Sequence, residues 1–391
     1  MNWSRAALLA LGLTVTAACE NGPEPKSYPD FTRWTVIAPD QLLQDHSRLV
    51  PRSVATARGD FVVGGYFRER TAAGDRTTAA ILRSADGRAW QRVSSPALAA
   101  ASGASTAISA LVNWQGTLVA VGSEAPTGAT PDRPGRLVVW TSADGLDWTR
   151  LADQPAFAGW PPADPAVTVG PAGLFVTNSD GSAPLYASDL TDWRTLPGLT
   201  SGSATAGTAL GAVRLSTETE PEPHGVVAVL NPERDGTSAV LPAGLPLGSR
   251  LAGAASTERA TVVVGQASTA GDDTYAATWS TTDGSSWQIQ KRIVPPADAV
   301  QAELGAVATA GDLFVLLGTA KTSKGPIGVI WTSMDGTNWT YAARAPHAEF
   351  LGLAVADADA VLLGTDTSLD GAVPGTAIPS AAVWHLPLTS D

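Results

Sequence analysis

A short pattern recurs six times along this 391-residue chain, and no other feature narrows its fold so far. It reads Ser84-Ala85-Asp86-Gly87-Arg88-Ala89-Trp90 in its first copy and Ser142 to Trp148 in its second. A shortened copy runs from Ser188 to Trp193, and later ones run from Thr281 to Trp287 and from Ser333 to Trp339. Between Trp193 and Trp287 the spacing doubles. Asp235-Gly236-Thr237-Ser238 marks the copy in between, with Ala239 where its Trp would stand. A period of about 45–55 residues belongs to repeat architectures whose unit is a four-stranded propeller blade.

Each unit divides into four short strands. In residues 106–151 they are predicted at Ala107–Asn113, Thr117–Ser123, Leu137–Thr141 and Trp148–Leu151, with tight turns at Gln115-Gly116 and Asp144-Gly145. The second strand recurs as Phe61–Gly64, Thr117–Ala120, Thr261–Val264, Leu313–Leu316 and Val361–Gly364. Short β-branched runs bounded by Gly, Asp and Ser suit buried strands, and no amphipathic helix is evident beyond the leader. The expected fold is all-β: a seven-bladed β-propeller of four-stranded blades. Its last blade ends with the third-strand segment Ala381-Ala382-Val383-Trp384-His385, and Arg33-Trp34-Thr35-Val36 resembles the missing fourth strand. The N-terminal strand is therefore expected to complete the last blade and close the ring.

The pattern Ser-x-Asp-Gly-x-x-Trp resembles the Asp-box, or BNR, repeat of sialidase-like propellers, over about five of the units. In that family one residue separates Asp from Gly, whereas here Asp86 and Gly87 adjoin. The resemblance implies structural roles for Ser84, Asp86, Gly87 and Trp90, for Ser142, Asp144, Gly145 and Trp148, and for Trp193. The same holds for Asp283, Gly284 and Trp287, and for Ser333, Asp335, Gly336 and Trp339. Asp and Ser can satisfy turn N–H groups, Gly can take a positive φ, and Trp can pack between sheets.

The resemblance also implies an alternative function, a sialidase-like glycoside hydrolase. That activity uses three carboxylate-gripping arginines, a Tyr–Glu nucleophile pair, an acid Asp and an early Phe/Tyr-Arg-Ile-Pro motif. The chain has no such motif, and only five tyrosines.

The N-terminus reads as an address. A basic start, an apolar run from Ala6 to Val15 and the small residues Thr16-Ala17-Ala18 before Cys19 form a secretory signal too short to span a membrane. Ala17-Ala18-Cys19 resembles a bacterial lipobox, which implies cleavage before Cys19 and lipidation of its thiol. The expected organisation is a signal peptide over 1–18, a lipid anchor and Pro-rich tether over 19–30, and the propeller over 31–391. The protein is then exported and anchored to the outer face of the cytoplasmic membrane. Cys19 is the only cysteine, so no internal disulfide or cysteine metal site can form. A net charge of −12 argues against nucleic acid, which requires a basic face.

Catalytic and cofactor motifs are missing from the chain: there is no phosphate loop, dinucleotide fingerprint, nucleophile elbow or zinc-binding His-Glu-x-x-His. Four histidines (His46, His224, His347, His385) are scattered, and the acidic pairs Asp272-Asp273 and Asp357/Asp359 read as solvated loops. No cofactor or metal is expected.

Irregular length is concentrated between the second and third strands, at Arg68–Thr78, Glu124–Arg136, Thr217–His224, Ala267–Tyr275, Thr319–Pro326 and Asp366–Pro379. This face, opposite the Asp-Gly turns, is where binding is expected. Arg68, Arg70, Arg76, Arg133 and Arg136 fall there as either a carboxylate-binding patch or solvated charge. Trp160, with Phe157 in a Pro-rich connection, is either an exposed platform or a plug. The expected function is a monomeric, non-catalytic binding or scaffold module that recognises a partner protein or an envelope glycan.

Overall fold

The structure, a computed structural model, describes residues 35–37, 48–71, 74–101, 103–126, 135–160, 164–178, 183–196, 204–208, 211–218, 224–231, 236–240, 250–268, 274–283, 286–291, 293–356, 359–366 and 380–387. Cys19, the leader and the tether lie outside them.

Strand β1 (Thr35–Ile37) precedes six consecutive antiparallel sheets. The first holds β2 (Arg48–Ala57), β3 (Asp60–Thr71), β4 (Gly74–Ser84) and β5 (Gln91–Arg92). The second holds β6 (Ala104–Trp114), β7 (Thr117–Pro126), β8 (Arg136–Ser142) and β9 (Thr149–Arg150). In the third are β10 (Ala166–Gly170), β11 (Gly173–Thr177), β12 (Leu185–Ala187) and β13 (Trp193–Thr195). The fourth comprises β14 (Ala204–Thr208), β15 (Gly211–Glu218), β16 (His224–Asn231) and β17 (Gly236–Val240). The fifth comprises β18 (Arg250–Ser256), β19 (Thr261–Ser268), β20 (Thr274–Thr281) and β21 (Gln288–Lys291). The sixth comprises β22 (Ala299–Ala310), β23 (Leu313–Thr322), β24 (Gly325–Ser333) and β25 (Thr340–Pro346).

A further sheet is made of β26 (Ala348–Ala356), β27 (Asp359–Asp366) and β28 (Ser380–Pro387), with β1 as its outermost strand. Thr35 faces His385, Val36 faces Trp384 and Ile37 faces Val383. The first strands of successive sheets touch in order, β2 to β6 to β10 to β14 to β18 to β22 to β26, and β26 returns to β2. The chain is an all-β propeller.

The core lies between sheets. Val62, Ile81, Ile108, Leu118, Ala120 and Trp140 pack the first sheet on the second, and the same arrangement brings Phe314, Leu316 and Trp331 against Val262 and Val264. Second strands are apolar on both sides because each is covered by a neighbouring sheet on either face, so they read as continuous runs. Trp140, Trp279, Trp331 and Trp384 occupy matching third-strand positions and are fully buried.

A second internal signature sits in the inner hairpins. Five first strands carry an extra residue against their partners at matching positions, Arg52, Ser109, Ala252, Gly305 and Leu351. The second strand has a glycine beside each bulge, as Gly65, Gly122, Gly265, Gly318 and Gly364. A Cβ on Gly122 would stand 1.8 Å from the Ala107 carbonyl oxygen, so the bulged strand approaches too closely for any side chain.

Candidate functional site

The repeat turns act as fasteners between sheets. In the second copy, Asp144 Oδ1 accepts from the backbone N–H groups of Leu146 (2.8 Å) and Asp147 (3.0 Å), and Ser142 Oγ accepts from Gly145 N at 2.8 Å. Trp148 Nε1 donates to the Gly145 carbonyl at 3.1 Å. Asp335 repeats this pattern with Ser333, Gly336 and Trp339, and Asp86 repeats the Asp and Trp bonds, with Ser84 Oγ donating to Asp86 Oδ1. Asp189 and Trp193 do the same in the shortened copy. In the fifth sheet Asp283 Oδ1 accepts from Ser286 N at 2.7 Å and Trp287 is half-buried, while Gly284 lies outside the described residues. Burial alone would raise the Asp335 carboxyl, but donors from Asn338, Thr337 and Ser333 outweigh it and hold it down to about 2.

The turn glycines take φ of +69° (Gly87), +80° (Gly145) and +72° (Gly336), and each rests on the preceding sheet. Gly145 abuts Val62 and Arg83, Gly336 abuts Val262 and Ser280, and Gly87 abuts Val361 and His385. The last of these joins sheets from the two ends of the chain.

The face assigned to binding by sequence is more regular than expected. The ladder of β3 and β4 continues to Thr71 opposite Gly74, that of β19 and β20 to Ser268 opposite Thr274, and that of β23 and β24 to Thr322 opposite Gly325. Arg68 faces Thr77, Arg70 faces Asp75 and Arg76 faces Glu69 within this ladder, so they stand on a paired hairpin rather than in a loop. Arg133 lies outside the described residues.

Arg136 is held by protein carboxylates. Its Nε and Nη2 donate to Glu124 Oε2 at 2.9 and 2.6 Å, and Nη1 reaches Asp153 at 2.6 Å. Arg150 donates to both Glu124 oxygens, at 3.1 and 2.9 Å. Glu124 is 5% exposed, and the hydrogen bonds from Arg150 and then Arg136 hold its carboxyl down to about 2 against the opposing effect of burial. Trp160 is buried at 6% exposure and donates from Nε1 to the Ala183 carbonyl at 3.0 Å, which makes it the plug of the two readings. Phe157, beside it, meets Trp193 edge-on at 5.4 Å.

Among the described residues, a concave region opens where the inner strands converge. A cavity of about 1000 Å³ is lined by residues from β2, β6, β10, β18, β22 and β26 and by the turns after β10, β18 and β22. Its walls include Val54, Leu111, Val169, Leu353 and Val355, and hydroxyls from Thr56, Thr168, Ser256, Thr257 and Thr309 interrupt them. Asn113, Gly170-Pro171, Thr257-Glu258 and Gly311 place it toward the end that bears the Asp-Gly turns. The loop face on which the sequence places binding is the opposite end of the ring. Glu258 is the one charged side chain among the described lining residues. On the side away from the turns, Arg52 of the first sheet forms an ion pair with Asp164 of the third, passing over the second. Arg52 is the bulge residue in the middle of β2, and Asp164 stands two residues before β10.

Comparison with protein-family models gives no match, and comparison with curated protein sequences gives none. Among solved structures, the chain is similar to the β-propeller domain of the trilobed protease from Pyrococcus furiosus, described as having an open velcro topology. The TM-score is 0.50 at 10% identity, covering 88% of this chain and 96% of that one. It is also similar to an ancestral GH74 enzyme, with a TM-score of 0.54 at 15% identity. That match covers 88% of this chain and 49% of the enzyme, so the chain spans about half the enzyme's length. At these identities the likeness is one of fold.

Proposed function

We propose that this chain is a lipid-anchored, exported binding module. In this reading Cys19 carries the acyl chains, residues 19–30 form the tether, and a ring of seven blades closed by β1 is presented outside the cytoplasmic membrane. The repeat turns would be a variant of the Asp-box. The module binds a partner protein or envelope glycan without turning it over, and the axial cavity is its recognition site.

The observation carrying this reading is the make-up of the cavity wall. A sialidase-like site would hold three carboxylate-gripping arginines, a Tyr–Glu nucleophile pair and an acid Asp. The described lining offers one carboxylate, Glu258, amid aliphatic and hydroxyl side chains. A concave, mostly apolar site with few polar groups suits binding.

The test uses the detergent-solubilised full chain. Its saturable binding to envelope extract is compared with that of Thr309→Trp, which places a bulky ring at the cavity wall, alongside turnover of a fluorogenic sialoside. Binding lost in the variant, without turnover, is expected. Turnover above a boiled control would make the propeller an enzyme.

A further inference from the structure

The cavity's surroundings carry a charge bias that the wall alone does not reveal. Turns after β10, β18 and β22 reach its rim, and the described residues in and beside the turns at this end include Asp60, Glu258, Asp312 and Asp359 against Arg58 and Arg259. Arg259 is paired with Asp312 at 3.5 Å, and Arg58 acts on Asp144 in the neighbouring turn. Arg83 and His385 on third strands are held by Asp60 and Asp359. Glu258, by contrast, has no hydrogen-bond or ion-pair partner among the described residues, although it lines the cavity. The remaining inner strand, β14 (Ala204–Thr208), contains no Asp, Glu, Lys or Arg.

Below the rim the wall turns aliphatic, with Val54, Leu111, Val112, Val169, Leu353 and Val355. It has no aromatic side chain among the described lining residues, so a sugar ring would find no stacking surface. Arg52 and Asp164 are already mutually paired.

We infer that the axial cavity takes a ligand with an aliphatic body and a single cationic head, the body against the valines and leucines and the head on the Glu258 carboxylate. This rests on the reading of the cavity as the recognition site, and it selects amines over neutral or acidic ligands of the same shape. The head stays at the rim, where water completes its solvation, so only the body is desolvated.

Calorimetric titration of the full chain with butylamine, hexylamine and octylamine, beside hexanol and hexanoate, tests the inference. Each added methylene should tighten amine binding by up to about fourfold, the effect of burying one CH₂. Hexylamine should bind up to about fivefold more tightly than hexanol, the range for a partly solvated ion pair. Glu258→Gln should erase that preference, and Glu258→Lys should transfer it to hexanoate, a gain that misfolding cannot imitate. Equal binding of hexylamine and hexanol, lost in Thr309→Trp, would overturn the ligand class and leave the cavity as a site. No binding by any probe would also overturn the ligand class. Envelope binding blocked by Thr309→Trp would then still support the cavity, whereas envelope binding unaffected by it would sink both.

Discussion

His385 Nε2 donates to Asp359 Oδ1 across 2.7 Å, inside a sheet where the histidine is 1% exposed. The ring's other nitrogen, Nδ1, accepts from Arg88 Nε at 3.4 Å, which fixes the proton on Nε2. Arg88 follows Gly87 in the first repeat turn, so this chain of three polar groups bridges the first and last sheets. Its counterpart elsewhere is Ser280 with Thr337 at 3.0 Å, again a third-strand residue meeting the residue after a turn glycine.

Replacing His385 with Ala should therefore cost more than a surface histidine would. It opens a cavity beneath Gly87 and leaves Asp359 and Arg88 without their shared partner, for a loss of about 2–3 kcal/mol. Chemical denaturation measures it. A loss below 0.5 kcal/mol, the range of an ordinary surface substitution, would contradict the bridging role.

The strand β1 holds the outer edge of the same sheet through three residue pairs. Deleting residues 33–37 exposes β28 and removes net hydrogen bonding of about 1 kcal/mol per bond. A cooperative melt shifted down by several degrees is expected from calorimetry. An unchanged melt would show that β1 does not close the ring.

Two glycines of one hairpin should respond in opposite order to what their dihedrals suggest. Gly116 has φ +80° with nothing within 4 Å of a Cβ, so Gly116→Ala should cost about 1–2 kcal/mol of backbone strain. For Gly122 no left-handed φ stands in the way, yet its Cβ would strike the Ala107 carbonyl oxygen at 1.8 Å. Gly122→Ala must push two strands apart and should cost more than about 3 kcal/mol or fail to fold. Equal losses on denaturant unfolding would refute the bulge packing.

Acid should loosen the second sheet through Glu124. Its carboxyl is held down to about 2 when folded, below the ordinary carboxylate range. The stabilisation is therefore full above about pH 4.5 and is lost as pH falls toward 2. The shift corresponds to about 3 kcal/mol, reduced to about 1–2 kcal/mol because Arg136 is half exposed to solvent. Glu124→Gln should be less stable at pH 7, and its unfolding midpoint should vary less than the parent's between pH 5 and 2.5. Parallel pH profiles would exclude Glu124 as the source.

The propeller could be read from the sequence because its repeat turn needs rare chemistry at fixed positions: a small polar residue, Asp, Gly at positive φ, and Trp. The second signature, the glycine at Gly65, Gly122, Gly265, Gly318 and Gly364, was also present. Its meaning depends on the bulge facing it, and bulges leave no periodicity of their own. Sequence pattern places the strand ends near Ser123 and Leu137, which leaves Arg136 in a loop. Extending the ladder to Glu124 opposite Arg136 pairs them at once. The cavity was hidden for another reason. Its walls are ordinary strand residues from six sheets, and Glu258 is a single carboxylate in a two-residue turn, so convergence on the axis is visible only in three dimensions.

Methyl NMR of the full chain, titrated with the envelope fraction it binds, tests the central claim most directly. Recognition at the axis predicts saturable shifts at Val54, Leu111, Val169, Leu353 and Val355. Shifts confined to the opposite hairpins, around Ile327 and the β3–β4 ladder, with the axial methyls unmoved, would contradict it.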